Sequence, residues 1–430
     1  MDVRNALESQ AATTWTVEMH TAGEPTRIII SGYPVLKGAT LLEKRRYASE
    51  RPEIDGIRKR FAIDPTRLLP TNKDTRVPTI QNHRLMLEPR GHAGMYGAIL
   101  VPKTELTLSG EADIGVLFCH NEGYSTMCGH ATIALGRFLV DTRDLEIFPH
   151  RESLRVETRD DQARTSVTVL RLHAPCGVVK VYVPTTPDGK SDATKPVRFH
   201  SVPSFASSPS SEHGHGLVVD IPPGSAWPKL LSRDSLRVNI DIAYGGAFYA
   251  LVSTSELGFG TTGLRGSDTD FREIAEAARI LRIVLNKDPK ARESFVHPDE
   301  PDLGFLYGIT IIDDRVAGAG TDGKKKQTWV CFFADEQIDR SPTGSCVSAH
   351  VPLAVDQGKL QMGEWCSYES FLSAQFPGNA FRGRAVQKTG KAYVVEIEGF
   401  AHYTGVSTFT CPQEDIDVIG EGFEVKLPIV

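Results

Sequence analysis

The sequence predicts an α/β (α+β) protein built as two pseudo-symmetric halves, and three observations carry that reading. The chain has 430 residues, more than one hydrophobic core readily holds. Strand-like runs rich in β-branched residues alternate with a few amphipathic windows. Above all, the sequence echoes itself at about half its length. "TAGEPTRIIIS" is answered by "AYGGAFYALVS", with Gly23 against Gly245 at a spacing of 222. "GMYGAILV" is answered by "FLYGITII", with Tyr96-Gly97 against Tyr307-Gly308 at a spacing of 211. "STMCGHATIAL" is answered by "RSPTGSCVSAH", with Cys128-Gly129 against Thr343-Gly344 at a spacing of 215. Each match is weak alone. Three in one order at a nearly constant offset describe two homologous halves about a pseudo-twofold axis.

Taken in order, residues 1–15 read as a polar, poorly ordered lead. "TVEMHTAGEPTRIIISG" is a strand, a Gly-Glu-Pro turn and a second strand. Leu41 to Phe61 has helical character, with Leu42, Ile54, Ile57 and Phe61 among its apolar positions. Residues 62–83 are punctuated by proline and read as an inserted loop. "STMCGHATIALGRFLV" is a helix, since Ala131, Ala134, Leu135, Phe138 and Leu139 recur at its period, with Ser125 and Thr126 as candidate caps. Residues 154–184 form several strands, and 185–196 and 204–216 are loops, the second marking the junction between halves. "DFREIAEAARILRIVLNKD" is an amphipathic helix. "VAGAGTDGKKKQ" contains a GxG that opens no helix after a strand, so dinucleotide binding is not indicated, and its lysines read as a solvated loop tip.

Composition excludes several function classes. A net charge of −6 gives no basis for nucleic acid or an anionic membrane as partner. The seven cysteines are dispersed, odd in number and without a CxxC pair, so neither a disulfide framework nor a zinc finger is expected. Cys119, Cys176, Cys331, Cys366 and Cys411 lie in apolar or strand-like settings and read as core. His213 and His215, in "HGHG", lack ligand spacing and companion carboxylates, so no metal is expected. No apolar run approaches membrane-spanning length and the N-terminus lacks a signal-peptide layout, which makes a reducing, cytoplasmic setting the expectation.

The chemistry-bearing feature is Cys128 at the first turn of a helix, where the dipole favours thiolate over thiol. The competing reading is an inert buried cysteine. The repeat sharpens the choice, because it makes Cys128 and Thr343 equivalent residues at two helix N-termini. Two such termini meeting in one cleft form an anion site from backbone N–H groups. A small carboxylate held there is polarised, and a base that removes its α-proton places the developing charge where those donors point. Two cysteines would serve both faces of the α-carbon, as racemisation needs. Here one is threonine, whose unactivated hydroxyl is no base near neutral pH. A Cys128–His130 hydrolase pair is disfavoured, because residues i and i+2 of a helix do not face each other and no orienting Asn or Asp is identifiable.

"MHTAGEP", "EPRGH", "MCGHATIALGR", "AYGGAFYA", "DRSPTGS" and "AHYTG" together resemble the proline racemase family, from about residue 17 to the C-terminus. Threonine in the second motif makes the chain more similar to the branch that dehydrates trans-3-hydroxy-L-proline; the alternative is a proline racemase or hydroxyproline epimerase. The resemblance implies a diaminopimelate-epimerase-like fold, each half a curled sheet round a central helix with the site in the cleft between them. It implies cofactor-independent chemistry on an imino acid, and a homodimer. Carried over by motif, Cys128 is the general base and Thr343 stands for the second catalytic cysteine. Gly129 and His130 bind substrate at the first helix. Asp339 lies near the ring nitrogen, and Gly344 and Ser345 supply the second helix's carboxylate contacts. The halves are then 16–210, with strands from about 396–430 packing back, and 211–395. Three departures stand out. Gly94 occupies a usually acidic place, and Cys346 replaces the last glycine of Thr-Gly-Ser-Gly. Leu303 stands where isomerases carry Cys or His, which suggests a substrate without a 4-hydroxyl.

Overall fold

The computed structural model describes residues 13–51, 85–158, 166–207, 216–264, 269–315, 318–319, 325–334, 336–376 and 378–410. The principal strands of the first half are β1 (Thr13–Thr21), β2 (Glu24–Ser31), β3 (Tyr96–Val101), β4 (Ile114–His120), β5 (Ser166–Ala174), β6 (Gly177–Pro184) and β7 (Val197–His200). Those of the second are β8 (Arg237–Tyr244), β9 (Phe248–Ser253), β10 (Leu306–Ile312), β11 (Lys325–Phe333), β12 (Cys366–Ser370), β13 (Phe381–Thr389) and β14 (Ala392–Gly399), and β15 (Ala401–Thr410) closes the described chain.

Their pairing repeats the sequence echo. β1–β2 is antiparallel, β2–β3 parallel, β3–β4 antiparallel, β4–β5 parallel, and β5–β6–β7 antiparallel. β8 to β14 follow the same order of senses. The two series join where β7 runs antiparallel to β14. At that seam Glu398 pairs with Arg198 at 2.7 Å and Arg382 at 2.8 Å, so the buried carboxylate is compensated from both halves. β15 returns to β1 on the outer edge of the first series. β14 closes the second series, and the expected break at about 396 falls within it.

The principal helices are α1 (Leu41–Glu50), α2 (Gly129–Asp141), α3 (Phe271–Lys287) and α4 (Gly344–Asp356). α2 follows β4 and α4 follows β11, equivalent places in the two series. α2 packs on β1, β2, β6, β7 and β15, and α4 on β8, β13 and β14. Each is buried nearly all round, Gly129 to Val140 with Arg137 excepted and Gly344 to Ala354 throughout, as a helix wrapped by a sheet must be. α3 is the surface counterpart: it buries Ile274, Ala277, Ala278, Ile280, Leu281 and Leu285 on one face and is capped by Asp270.

Several expectations are corrected. Thr13, Thr14 and Trp15, expected in the lead, already pair with Thr410, Phe409 and Thr408. α1 stops at Glu50 because Arg51, before Pro52, is extended (φ −102°, ψ 108°); the predicted continuation to Phe61 lies outside the described residues. Lys325 and Lys326 open β11, where Lys326 meets Glu369 at 2.8 Å. His213, His215 and Cys411 lie outside the described residues. No helix among those described is long and apolar enough to cross a membrane.

Candidate active site

The N-termini of α2 and α4 abut. A Cβ on Gly344 would meet the Gly129 Cα at 2.8 Å, closer than a side chain tolerates, so both positions must be glycine for the helices to converge. All seven residues singled out from the sequence line one small pocket there: Cys128, Gly129, His130, Asp339, Thr343, Gly344 and Ser345. Met127, Tyr96, Tyr249, Tyr307 and Phe333 complete its wall. Its free volume is about 10 Å³, room for one water molecule.

The two helices begin differently. Cys128 is itself the N-cap of α2, with extended backbone (φ −145°, ψ 114°) and its sulfur accepting from the Ala131 N–H at 3.4 Å. Ser125 and Thr126, the expected caps, spend their hydroxyls on the carbonyls of Met127 and Gly246. Because Cys128 precedes the helical turns, its side chain swings onto His130, with Sγ 3.2 Å from Nδ1. Helical i, i+2 spacing therefore does not govern this pair, and the expectation that the two do not face each other is corrected. Burial lowers His130 to about 3, so its imidazole is neutral, and its ring N–H is drawn to the Pro25 carbonyl. Burial pushes the Cys128 thiol well above its usual value. The Ala131 N–H opposes this, while the nearby Asp339 and Glu24 add to it. Burial thus favours the thiol, against the thiolate that a helix N-terminus favours.

Thr343, the N-cap of α4, stands at φ 56°, ψ 80°, a left-handed conformation rare for a β-branched residue. Its hydroxyl makes no cap; it donates to Asp339 Oδ2 at 2.8 Å. Asp339 Oδ1 accepts the Ser341 N–H at 2.8 Å, so this carboxylate braces the turn before the helix rather than capping it. Burial pushes Asp339 up to about 6, against the pull of these hydrogen bonds and of Arg340. Ser345 Oγ lies 2.6 Å from the Tyr249 hydroxyl.

The three departures now have places. Gly94 offers its carbonyl to Arg340 at 3.3 Å, and a Cβ there would strike Nη2 of that guanidinium at 2.5 Å. Cys346 is fully buried, its sulfur 3.2 Å from the Thr310 hydroxyl on β10, and is not in the pocket wall. Leu303 is buried in the core and is not in the wall of the closed pocket.

Residue reasoning missed the aromatic wall and Glu24. Tyr96 and Tyr307 were visible as landmarks of the repeat, and that equivalence was the available signal. Glu24, in the first motif, is fully buried and accepts from the Arg340 N–H at 2.8 Å across the halves. Burial and the nearby Asp339 push its carboxyl well up. Among the described residues no group of three or more His, Cys, Asp or Glu is arranged to hold a metal ion.

A thiol and a buried carboxylate thus stand together at two converging helix N-termini inside a duplicated sheet. The family model for proline racemase matches residues 16–68 and 76–424, and the chain belongs to that family. It is 39% identical over 414 residues, 95% of this chain and 94% of the relative, to the trans-3-hydroxy-L-proline dehydratase of Homo sapiens. It is 31% identical over 402 residues to the protein of that name from Bacillus thuringiensis, covering 93% of this chain and 96% of that one. Among solved structures, a hydroxyproline epimerase from Agrobacterium vitis with bound trans-4-hydroxy-L-proline shares the fold at TM-score 0.68 and 20% identity, over 96% of each chain. A probable proline racemase from Agrobacterium radiobacter K84 does so at TM-score 0.68 and 22% identity, also over 96% of each chain.

Proposed function

We propose that this chain is a trans-3-hydroxy-L-proline dehydratase, acting without a cofactor, and the observation that carries the reading is one thiol where the fold has two equivalent helix N-termini. The 39% identity to dehydratases over 95% of the chain supports it. The opening N–H groups of α2 and α4, from Gly129, His130, Gly344 and Ser345, receive the substrate carboxylate. Asp339 meets the cationic ring nitrogen, with Thr343 holding that carboxylate in place. Cys128 is the base at Cα. His130, neutral, lies 3.2 Å from its sulfur and can accept a hydrogen bond from the thiol. The substrate's ammonium then favours the thiolate that burial alone disfavours.

In trans-3-hydroxy-L-proline the hydroxyl and carboxylate are on opposite ring faces, so the α-hydrogen shares the hydroxyl's face. Cys128 removes that proton, the Cα–H electron pair becomes the Cα=C3 bond, and the 3-hydroxyl leaves from the same side as hydroxide, which a proton donor on that side converts to water. The enamine tautomerises to 1-pyrroline-2-carboxylate. A racemase or epimerase needs a second base on the opposite face. Thr343 already donates its hydroxyl proton to Asp339, and Cys346 is turned away toward Thr310.

A pocket with room for one water must open to admit a proline ring. We take the moving units to be residues 16–210 with β15, and 211 to the end of β14. The family resemblance supports a homodimer in the cytoplasm, and light scattering tests the first of these. Incubation with trans-3-hydroxy-L-proline and trapping of the imine with o-aminobenzaldehyde tests the reaction. Imine formation lost in Cys128→Ala is the expected result, and no imine from the unaltered protein would overturn the reading.

A further inference from the structure

Proton removal is half of a dehydration; the departing hydroxide also needs a donor. The hydroxyls that wall the pocket are mostly committed. Thr343 gives its proton to Asp339, and Ser345 and Tyr249 hydrogen-bond each other. Tyr96 differs. It is 1% exposed, and its hydroxyl meets no protein partner at hydrogen-bonding geometry, although the Cys128 thiol, Ser125 and Tyr307 surround it. Buried hydroxyls are rarely left so, and one facing a substrate pocket calls for a ligand atom. The ring is fixed edge-on against His130 at 4.7 Å between centroids, on the thiol's side of the pocket.

Resting on the dehydratase reading, we propose that Tyr96 is a catalytic residue that hydrogen-bonds the substrate's 3-hydroxyl and delivers the proton with which it leaves. The stereochemistry and the geometry agree: the thiol must face the α-hydrogen, the 3-hydroxyl is on that same face, and the unpartnered phenol stands beside the thiol. Cys128 thiolate takes the α-proton to become the thiol. The C3–O bond breaks as the Tyr96 O–H bond gives its proton to the departing oxygen, forming water. The tyrosine oxygen takes the proton held by Cys128, which restores phenol and thiolate with no net change in the protein. Burial keeps the Tyr96 hydroxyl protonated, as a donor must be. A 3-hydroxyl on the opposite face would lie away from both groups, so Tyr96 also selects the trans isomer.

The test is Tyr96→Phe, which keeps the ring and removes the oxygen, run in heavy water on trans-3-hydroxy-L-proline. We expect imine formation to fall by about 100-fold or more, while recovered substrate gains deuterium at Cα, because Cys128 still takes and returns the proton. Imine at the unaltered rate in Tyr96→Phe would overturn the proposal. Loss of imine and Cα exchange together in Tyr96→Phe would also overturn it, by assigning Tyr96 to the base or the fold. No imine from the unaltered protein would mark failure of the dehydratase reading itself.

Discussion

The start of α2 and the start of α4 are the same place in two copies of one fold, and they have been put to different use. At α2 an extended Cys128 caps the helix through its sulfur and touches a neutral histidine. At α4 a left-handed Thr343 leaves the helix uncapped and turns its hydroxyl to Asp339. Backbone N–H groups open both helices. What differs is what stands beside them: a thiol on one side, a carboxylate braced by Thr343 on the other. On the dehydratase reading, the two termini together receive the substrate carboxylate and the single thiol makes a one-base arrangement suited to elimination.

The comparison breaks most completely at the thiol. Cys128→Ser keeps the cap but not the base, and imine formation should fall by about 10³-fold, read as kcat/KM. Across the pocket, Asp339→Asn removes the charge that meets the ring nitrogen. A charge-assisted contact of about 2–3 kcal/mol predicts a fall in kcat/KM of roughly 30- to 150-fold, carried mainly by KM. Asp339 also gives the site a pH signature. Its carboxyl is raised to about 6, so it is charged and able to bind the cationic substrate above that value and loses that ability as pH falls through it. KM should therefore rise below about pH 6, and a titration of KM in Asp339→Asn should lack that rise. Gly344→Ala tests the convergence shared by both helices: its methyl has no room against Gly129, and urea unfolding should show a loss of about 1–3 kcal/mol. The smallest effect belongs to Thr343→Ala. Asp339 loses one hydrogen bond of about 1 kcal/mol, so kcat/KM should drop about 5-fold and imine formation should persist.

Much of this site is legible in the sequence, because the repeat converts two unremarkable windows into a facing pair. The echo alone makes Cys128 and Thr343 equivalent, and Gly129, His130, Asp339, Gly344 and Ser345 follow from the motifs round them. The strand series is legible only as strand-rich stretches; the join of β7 to β14 depends on contacts nearly 200 residues apart, which no local pattern encodes. The Cys128–His130 contact is hidden when the cysteine is treated as helical, because the cap residue has extended backbone and aims its side chain elsewhere. The state of the thiol is hidden for a related reason. Position at a helix terminus is visible in sequence, but complete burial beside two carboxyls is not, and that burial pushes the thiol up. Tyr96 and Tyr307 stand in the repeat itself, yet an aromatic followed by glycine in a strand reads as core until the strand's place in the cleft is known.

The most direct test of the one-base account is the fate of Cα when the purified protein turns over trans-3-hydroxy-L-proline in heavy water, with chiral analysis of recovered substrate alongside imine trapping. The account predicts imine that depends on Cys128 and no substrate inverted at Cα. Accumulation of the Cα epimer without imine would contradict it, because a second base would then have to act from the side where Thr343 stands.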